Sequence, residues 1–226
     1  MIPWRHLDTA EVPDGGGELR LMQRGDEFSI MAGSTSLMTS HRSGSEETLA
    51  TLACERIKSR DRPSLLIGGL GMGFTLRAAL AALGPESRVV VAELVPAVIS
   101  WAKGPMAEIF GNSLADPRVT IIEGDVAKVI ASSSSAYDAV LLDVDNGPEG
   151  LTRKANNRIY DLEGLRAART ALRPGGILAL WSSGPNRDFA QRLRKTGFAV
   201  EEVKARANGA RGGAWHVIWL ATNPAA

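Results

Sequence analysis

Leu65-Leu-Ile-Gly-Gly-Leu-Gly-Met-Gly-Phe74 is the stretch on which the fold of this sequence turns. Three apolar residues run without a polar break into a cluster of glycines. A helical pattern, Phe74–Leu83, begins as soon as the glycines end. A strand buried on both faces reads this way, because neither face needs a polar side. Glycines let the backbone turn tightly and approach a ligand, and the helix behind them offers free N–H groups at its N-terminus. Gly69, Gly71 and Gly73 give Gly-x-Gly-x-Gly. Phe74 fills the last slot of the Gly-x-Gly-x-x-Gly pattern of NAD binders, and there is no Gly-x-x-x-x-Gly-Lys-Ser/Thr phosphate loop.

Outward from this point the same rhythm repeats. Short apolar runs at Val89–Ala92, Val119–Ile122, Ala139–Leu142 and Ile177–Leu180 alternate with helical segments at Pro96–Trp101, 126–131 and Asp161–Leu172. Such βαβ repetition predicts an open, mostly parallel, doubly wound α/β sheet with right-handed crossovers. A further helix is expected over Asn186–Thr196. Ala199–Lys204 and Trp215–Ala221 then read as two strands with only a Gly-rich loop between them, an antiparallel hairpin closing a seven-stranded sheet. Upstream, residues ending in Pro13-Asp14-Gly15-Gly16-Gly17 read as a flexible lead-in. Glu18–Gln23 and Glu27–Ala32 flank Arg24-Gly25-Asp26 as a β-hairpin, with Ser36–Ser40 as an optional third strand. Ser45 is expected to cap a helix whose Leu49, Leu52, Ala53 and Ile57 make one buried face. The expected organisation is a small β subdomain over residues 1–43 and a Rossmann-like catalytic domain over residues 44–226.

Composition bounds the function. Among 226 residues, 26 basic and 25 acidic side chains leave a net charge of +1. Residues 1–150 carry 13 Lys/Arg against 20 Asp/Glu, however, and residues 151–226 carry 13 against 5. One cysteine, Cys54, excludes an intrachain disulfide and a Cys-rich zinc site, and three scattered histidines give no metal-binding spacing, so no metal is expected. The absence of a long apolar run and of a signal peptide predicts a cytoplasmic protein away from membranes.

In open α/β sheets ligands bind outside the carboxyl ends of the strands. Those ends carry the glycine loop (Gly69, Gly71, Gly73), then Glu93, then Asp125, then Asp143-Val-Asp145-Asn146. Glu93 lies 20 residues after Gly73, where an acid accepts hydrogen bonds from a ribose diol. Asp125 is suited to an exocyclic adenine amine. No Lys or Arg sits in these loops, so a nucleoside without phosphates fits best. Asp143 and, after it, Asp145 are the candidate catalytic acids, able to orient an amine or take its proton. Asn146 and Tyr160 are candidate substrate contacts, Tyr160 following a polar stretch that can serve as a lid. Trp181 ends the fifth strand of the repeat beside the expected pocket.

These residues carry a resemblance. Leu65–Arg77, Val91-Ala-Glu-Leu-Val-Pro96, Gly124-Asp125, Tyr137-Asp-Ala-Val-Leu-Leu-Asp143, Gly147-Pro148, Tyr160 and Leu172-Arg-Pro-Gly-Gly-Ile177 resemble the class I S-adenosylmethionine-dependent transferases. Within them they resemble the spermidine synthases, over about residues 18–182. The resemblance implies an adenosine site at Gly69, Gly71, Gly73, Glu93 and Asp125, with Asp143 beside it. Four departures accompany it. Met72 stands where the family's glycine motif has the Asp that holds the aminopropyl amine. The Asp-x-x-Asp that grips the polyamine reads Asp143-Val-Asp-Asn146. A Tyr-His-Glu-Met-Leu stretch becomes Ser45-Glu-Glu-Thr-Leu49, and a tyrosine-bearing loop becomes Ser182-Ser-Gly-Pro-Asn186.

The missing acid at Met72 makes S-adenosylmethionine an acceptable donor, so methyl transfer to a small amine-bearing acceptor is the expectation. Aminopropyl transfer from decarboxylated S-adenosylmethionine is the alternative, and a non-catalytic nucleoside-binding protein is another. The basic last third raises a nucleic-acid substrate. The loop after Asp143 lacks the Pro-Pro-Tyr type sequence used on base amines, so no nucleic acid is expected. The exposed N-terminal hairpin can pair with another chain, which allows a homodimer.

Overall fold

The computed structural model describes residues 2–144 and 157–225, which form two sheets. The first is antiparallel and runs in the order β1 (Arg5–Glu11), β2 (Glu18–Arg24), β3 (Glu27–Ala32), β4 (Thr35–Thr39). After it come α1 (Gly44–Ile57), β5 (Ser64–Gly68), α2 (Phe74–Ala82), β6 (Arg88–Glu93), α3 (Pro96–Lys103), α4 (Ala107–Phe110), β7 (Val119–Glu123), α5 (Val126–Ala131) and β8 (Tyr137–Leu142). The chain continues through α6 (Asn157–Tyr160), α7 (Leu162–Ala171), β9 (Leu172–Ser182), α8 (Arg187–Lys195), β10 (Ala199–Arg206) and β11 (Trp215–Thr222).

The second sheet has seven strands in the order β10-β11-β9-β8-β5-β6-β7. β5 pairs in parallel with both β6 and β8, β7 extends one flank, and β9 the other. The antiparallel β10–β11 hairpin closes the β9 side, as expected from the sequence. Every residue of β5 and of β8 is buried, which explains their unbroken apolar runs. The strand order reverses between β5 and β8, and a crevice opens at the carboxyl ends on either side of such a point.

Three expectations are corrected at the N-terminus. The expected flexible lead-in contains β1, which pairs with β2 from Glu11↔Glu18 back to Arg5↔Gln23, with a register shift between His6 and Asp8. The expected hairpin is thus half of a four-stranded sheet, in which the optional third strand is formed as β4. The cap of α1 is Ser43, not Ser45, which lies inside the helix and is buried.

One hydrophobic cluster joins the two sheets: Leu21, Phe28 and Ile30 pack with Leu49, Leu65 and Ile67. The Trp101 indole also donates to Asp8 Oδ2 at 2.7 Å, tying β1 to α3. On the opposite face of the large sheet, Tyr160, Phe189 and Trp219 stack edge to face, with ring centroids 5.7 and 4.9 Å apart. Such contacts add about 0.5–1.5 kcal/mol each beyond the burial itself. Among the described residues no helix is long and apolar enough to cross a membrane.

Candidate active site

At the carboxyl end of β5 the chain turns through Gly69, Gly71 and Gly73, all at positive φ (85°, 50° and 75°). Two of these glycines meet crowding that a side chain would not survive unchanged. A Cβ on Gly71 would lie 2.7 Å from Met38 Cε, and one on Gly73 would overlap the Phe110 ring. Gly69 and Gly71 line a cavity of about 860 Å³ between the two sheets. Gly73 does not. It was expected to meet a cofactor, and it instead forms the left-handed entry to α2, packed on α4.

Glu93 ends β6 and borders the same cavity. Its Oε2 accepts from Leu70 N and its Oε1 from Val95 N, both at 2.8 Å. These bonds fix the carboxylate against the glycine loop. Burial pushes its pKa up, while backbone donors from Val95, Leu70, Gly71 and Leu94 pull it down. Asp125 follows β7, caps α5 by accepting from Ala127 N at 2.8 Å, and also lines the cavity. Its position comes from the local economy of an N-cap, which leaves a second oxygen directed by the same rigid turn.

Asp143 sits immediately after β8. Its backbone N–H donates to Gly68 O at 3.2 Å, so it stands beside the glycine loop across the point where strand order reverses. Its Oδ2 accepts from Thr75 Oγ1 at 2.8 Å, and burial raises its carboxyl to about 6 against that bond. Glu93, Asp125 and Asp143, expected from strand ends scattered along the sequence, therefore border one cavity. Asp145 and Asn146 lie outside the described residues, as does most of the polar stretch expected to act as a lid.

Two placements differ from expectation. Tyr160 is buried in the core and is not among the cavity-lining residues. Its hydroxyl donates to Val144 O at 2.9 Å, so it braces the backbone next to Asp143 from behind. Met72 is also core, buried among Leu70, Phe74 and Phe110 rather than facing the cavity. Trp181 does line the cavity, with its ring 4.7 Å from that of His216.

Sequence reasoning missed Glu46, Ser45 and His216, all on the cavity wall. Glu46 carried a signal. It precedes Leu49, Ala50 and Ala53 by three, four and seven residues, so it lies on the buried stripe of α1 and not with exposed Glu47. Its carboxyl is pushed up to about 7, first by burial and then by the charge of Asp143. Among the described residues the cavity is bordered by five carboxylates (Glu18, Glu46, Glu93, Asp125, Asp143) and one arginine, Arg42. Burial, and then the Arg42 charge, lower the pKa of His216, which favours its neutral form.

Comparison with known proteins yields a consistent pattern. Residues 43–196 match the family model described as the spermine/spermidine synthase domain. A polyamine aminopropyltransferase of Korarchaeum cryptofilum is 35% identical over 160 residues, covering 69% of this chain and 46% of that protein. One from Mycobacterium tuberculosis is 28% identical over 146 residues, covering 61% of this chain and 27% of that protein. The chain thus spans less than half the length of these relatives. The crystal structure of spermidine synthase from Thermotoga maritima superimposes with a TM-score of 0.74 at 16% identity, over 98% of this chain and 73% of that one. A structure of spermidine synthase in complex with the transition state analogue AdoDATO superimposes equally well, at the same identity and coverage.

Proposed function

This chain belongs to the spermine/spermidine synthase family, and on that premise we propose that it transfers an aminopropyl group from decarboxylated S-adenosylmethionine to a small primary amine. The methyl transfer expected from the sequence gives way to its alternative. The relatives are named aminopropyltransferases, and Met72, the residue that favoured methyl transfer, is buried and does not line the cavity.

The observation that carries this choice is the sign of the cavity. S-adenosylmethionine brings a carboxylate with its sulfonium and ammonium; the decarboxylated donor brings only the two cations. Among the described residues, five bordering carboxylates against one arginine suit the second and oppose the first. The residues fit the nucleoside part as well. Glu93, fixed by two backbone donors, keeps lone pairs for a ribose diol, and the Asp125 turn stands by for an adenine amine.

When bound, such a donor supplies a carbon–sulfur bond whose electron pair leaves with sulfur as a neutral amine attacks the carbon. The chain's own residues orient that amine and take its proton. Asp143 is the candidate for both tasks, because it borders the cavity beside the glycine loop and its raised pKa suits proton uptake near neutrality. Alignment of amine and carbon contributes much of the rate in reactions of this kind.

Calorimetric titration with both donors tests the reading. Decarboxylated S-adenosylmethionine is expected to bind at least about tenfold more tightly than S-adenosylmethionine, a difference of ~1.4 kcal/mol. The reverse order would overturn it.

A further inference from the structure

Glu46 enters the cavity from a helix and not from a strand end, and it lines the cavity with Asp143, near enough to feel its charge. Around it the groups are few and ordered. Ser45 Oγ donates to Glu46 Oε2 at 2.6 Å, and His216 Nδ1 lies 3.0 Å from the same Ser45 Oγ. A serine hydroxyl has a single hydrogen, and here it goes to Glu46, so the imidazole must be the donor at Nδ1. The line His216 to Ser45 to Glu46 therefore holds one oxygen of the carboxylate in place. On the other side Thr75 holds one oxygen of Asp143. The Trp181 ring, edge to face with His216, supplies an aromatic wall to the same cavity.

The charges around this pair do not balance. Asp143 and Glu47 both act on Glu46 as like charges, and His216 is drawn toward its neutral form. Arg42 is the one arginine that borders the cavity among the described residues, and it is solvent-exposed. Glu46, half-buried beside the charge of Asp143, therefore keeps its proton in part at neutral pH. A ligand that brings a cation to this pair displaces that proton and leaves both groups ionised.

The geometry points to Glu46 as a specificity-determining residue: with Asp143 it forms a two-carboxylate seat for the primary ammonium of the acceptor, and Ser45 and His216 act as positioning residues behind it. The identity of the acceptor rests on the aminopropyl-transfer reading; the seat itself does not. A primary ammonium has three N–H donors, enough to engage the second oxygen of each carboxylate.

The test is calorimetric titration of the whole chain with 1,4-diaminobutane at pH 7, with saturating methylthioadenosine, in buffers of different ionisation heat. With the Glu46 carboxyl near 7, binding is expected to release roughly half a proton per amine. Glu46→Gln is expected to weaken diamine binding at least tenfold and to abolish the release, while Glu46→Asp restores part of both. Ser45→Ala is expected to weaken binding a few-fold and keep the release. Affinity for methylthioadenosine, expected to stay within about twofold in every variant, shows that the fold and nucleoside site are intact. Unchanged diamine affinity and proton release in Glu46→Gln would overturn the inference, as would a wild type that binds no diamine. If the seat behaves as expected but decarboxylated S-adenosylmethionine is not used, the transfer reading fails and the seat stands. If transfer occurs and Glu46→Gln leaves the KM for amine unchanged, the seat fails alone.

Discussion

Asp143 borders the cavity, stands beside the glycine loop through its backbone bond to Gly68, and has its carboxyl raised to about 6. Asp143→Asn keeps the shape and the Thr75 contact but cannot take a proton. Turnover is expected to fall by roughly 10²–10⁴ in that variant, the usual range for a lost general base, with methylthioadenosine affinity little changed. A variant that retains more than a tenth of the rate would remove Asp143 from the mechanism. Glu46 leads to a statement about stability. Its carboxyl sits at about 7 in the folded chain against an ordinary 4.5, so the folded state holds this proton more tightly than the unfolded one. The stabilising contribution is complete below about 4.5 and is lost as pH rises through about 7. Asp143, also raised, acts with the same sign. The ligand-free chain is therefore expected to melt lower at pH 8 than at pH 5.5 on account of this pair. Glu46→Gln is expected to raise the melting temperature at pH 8 by a few degrees and to flatten the pH profile. A steeper profile in the variant would contradict the assignment.

At the scale of the element, the turn from β5 into α2 does two jobs with three glycines. Gly69 and Gly71 present backbone to the cavity, and Gly73 exists for packing. Gly73→Ala must place a methyl against the Phe110 ring at a φ of 75°, which is expected to cost about 2–4 kcal/mol. Phe110→Leu in the same chain is expected to recover part of that loss, measurable as non-additivity in denaturant unfolding; strict additivity would deny the contact. Much of this architecture was legible in the residues. Strands β5, β6 and β8 announced themselves because the centre of a parallel sheet covered on both faces leaves few polar positions. The acids at their ends were legible because the fold brings consecutive carboxyl ends to one side. β1 was not legible: its Arg5–Glu11 sequence is charged and mostly exposed, and only pairing with β2 makes it a strand. Tyr160 was misread for a similar reason, since a hydroxyl near the site in sequence faces backward onto Val144 in space. Glu46 lay in plain view as a first-turn acid. Its role depends on α1 crossing beside Asp143, a long-range contact that spacing alone does not encode.

The whole molecule explains the uneven charge of its two halves. Among the described residues, the five carboxylates that border the cavity all come from the acidic first 150 positions, so part of that excess lies where a cationic ligand is expected. One acid serves the scaffold instead. Asp138 is fully buried, accepts from Ser64 N at 2.8 Å and Arg173 Nη1 at 2.7 Å, and pairs with Arg60 at 3.3 Å. It thereby ties β5, β8 and β9 together at the end of the sheet away from the cavity. Removing Asp138 leaves the buried Ser64 N–H without its acceptor, while Arg60 and Arg173 are exposed enough to be solvated. Asp138→Ala is thus expected to destabilise the chain by about 1–3 kcal/mol. Its affinity for methylthioadenosine should be unchanged at temperatures where it stays folded; a large loss of affinity would mean that this end of the sheet is coupled to the site. The central claim, aminopropyl transfer, is reached most directly by identifying the nucleoside product. The purified chain is incubated with 1,4-diaminobutane and an equimolar mixture of S-adenosylmethionine and its decarboxylated form, and the products are resolved by mass spectrometry. Methylthioadenosine together with an aminopropylated diamine is the predicted result; S-adenosylhomocysteine with a methylated amine would contradict it.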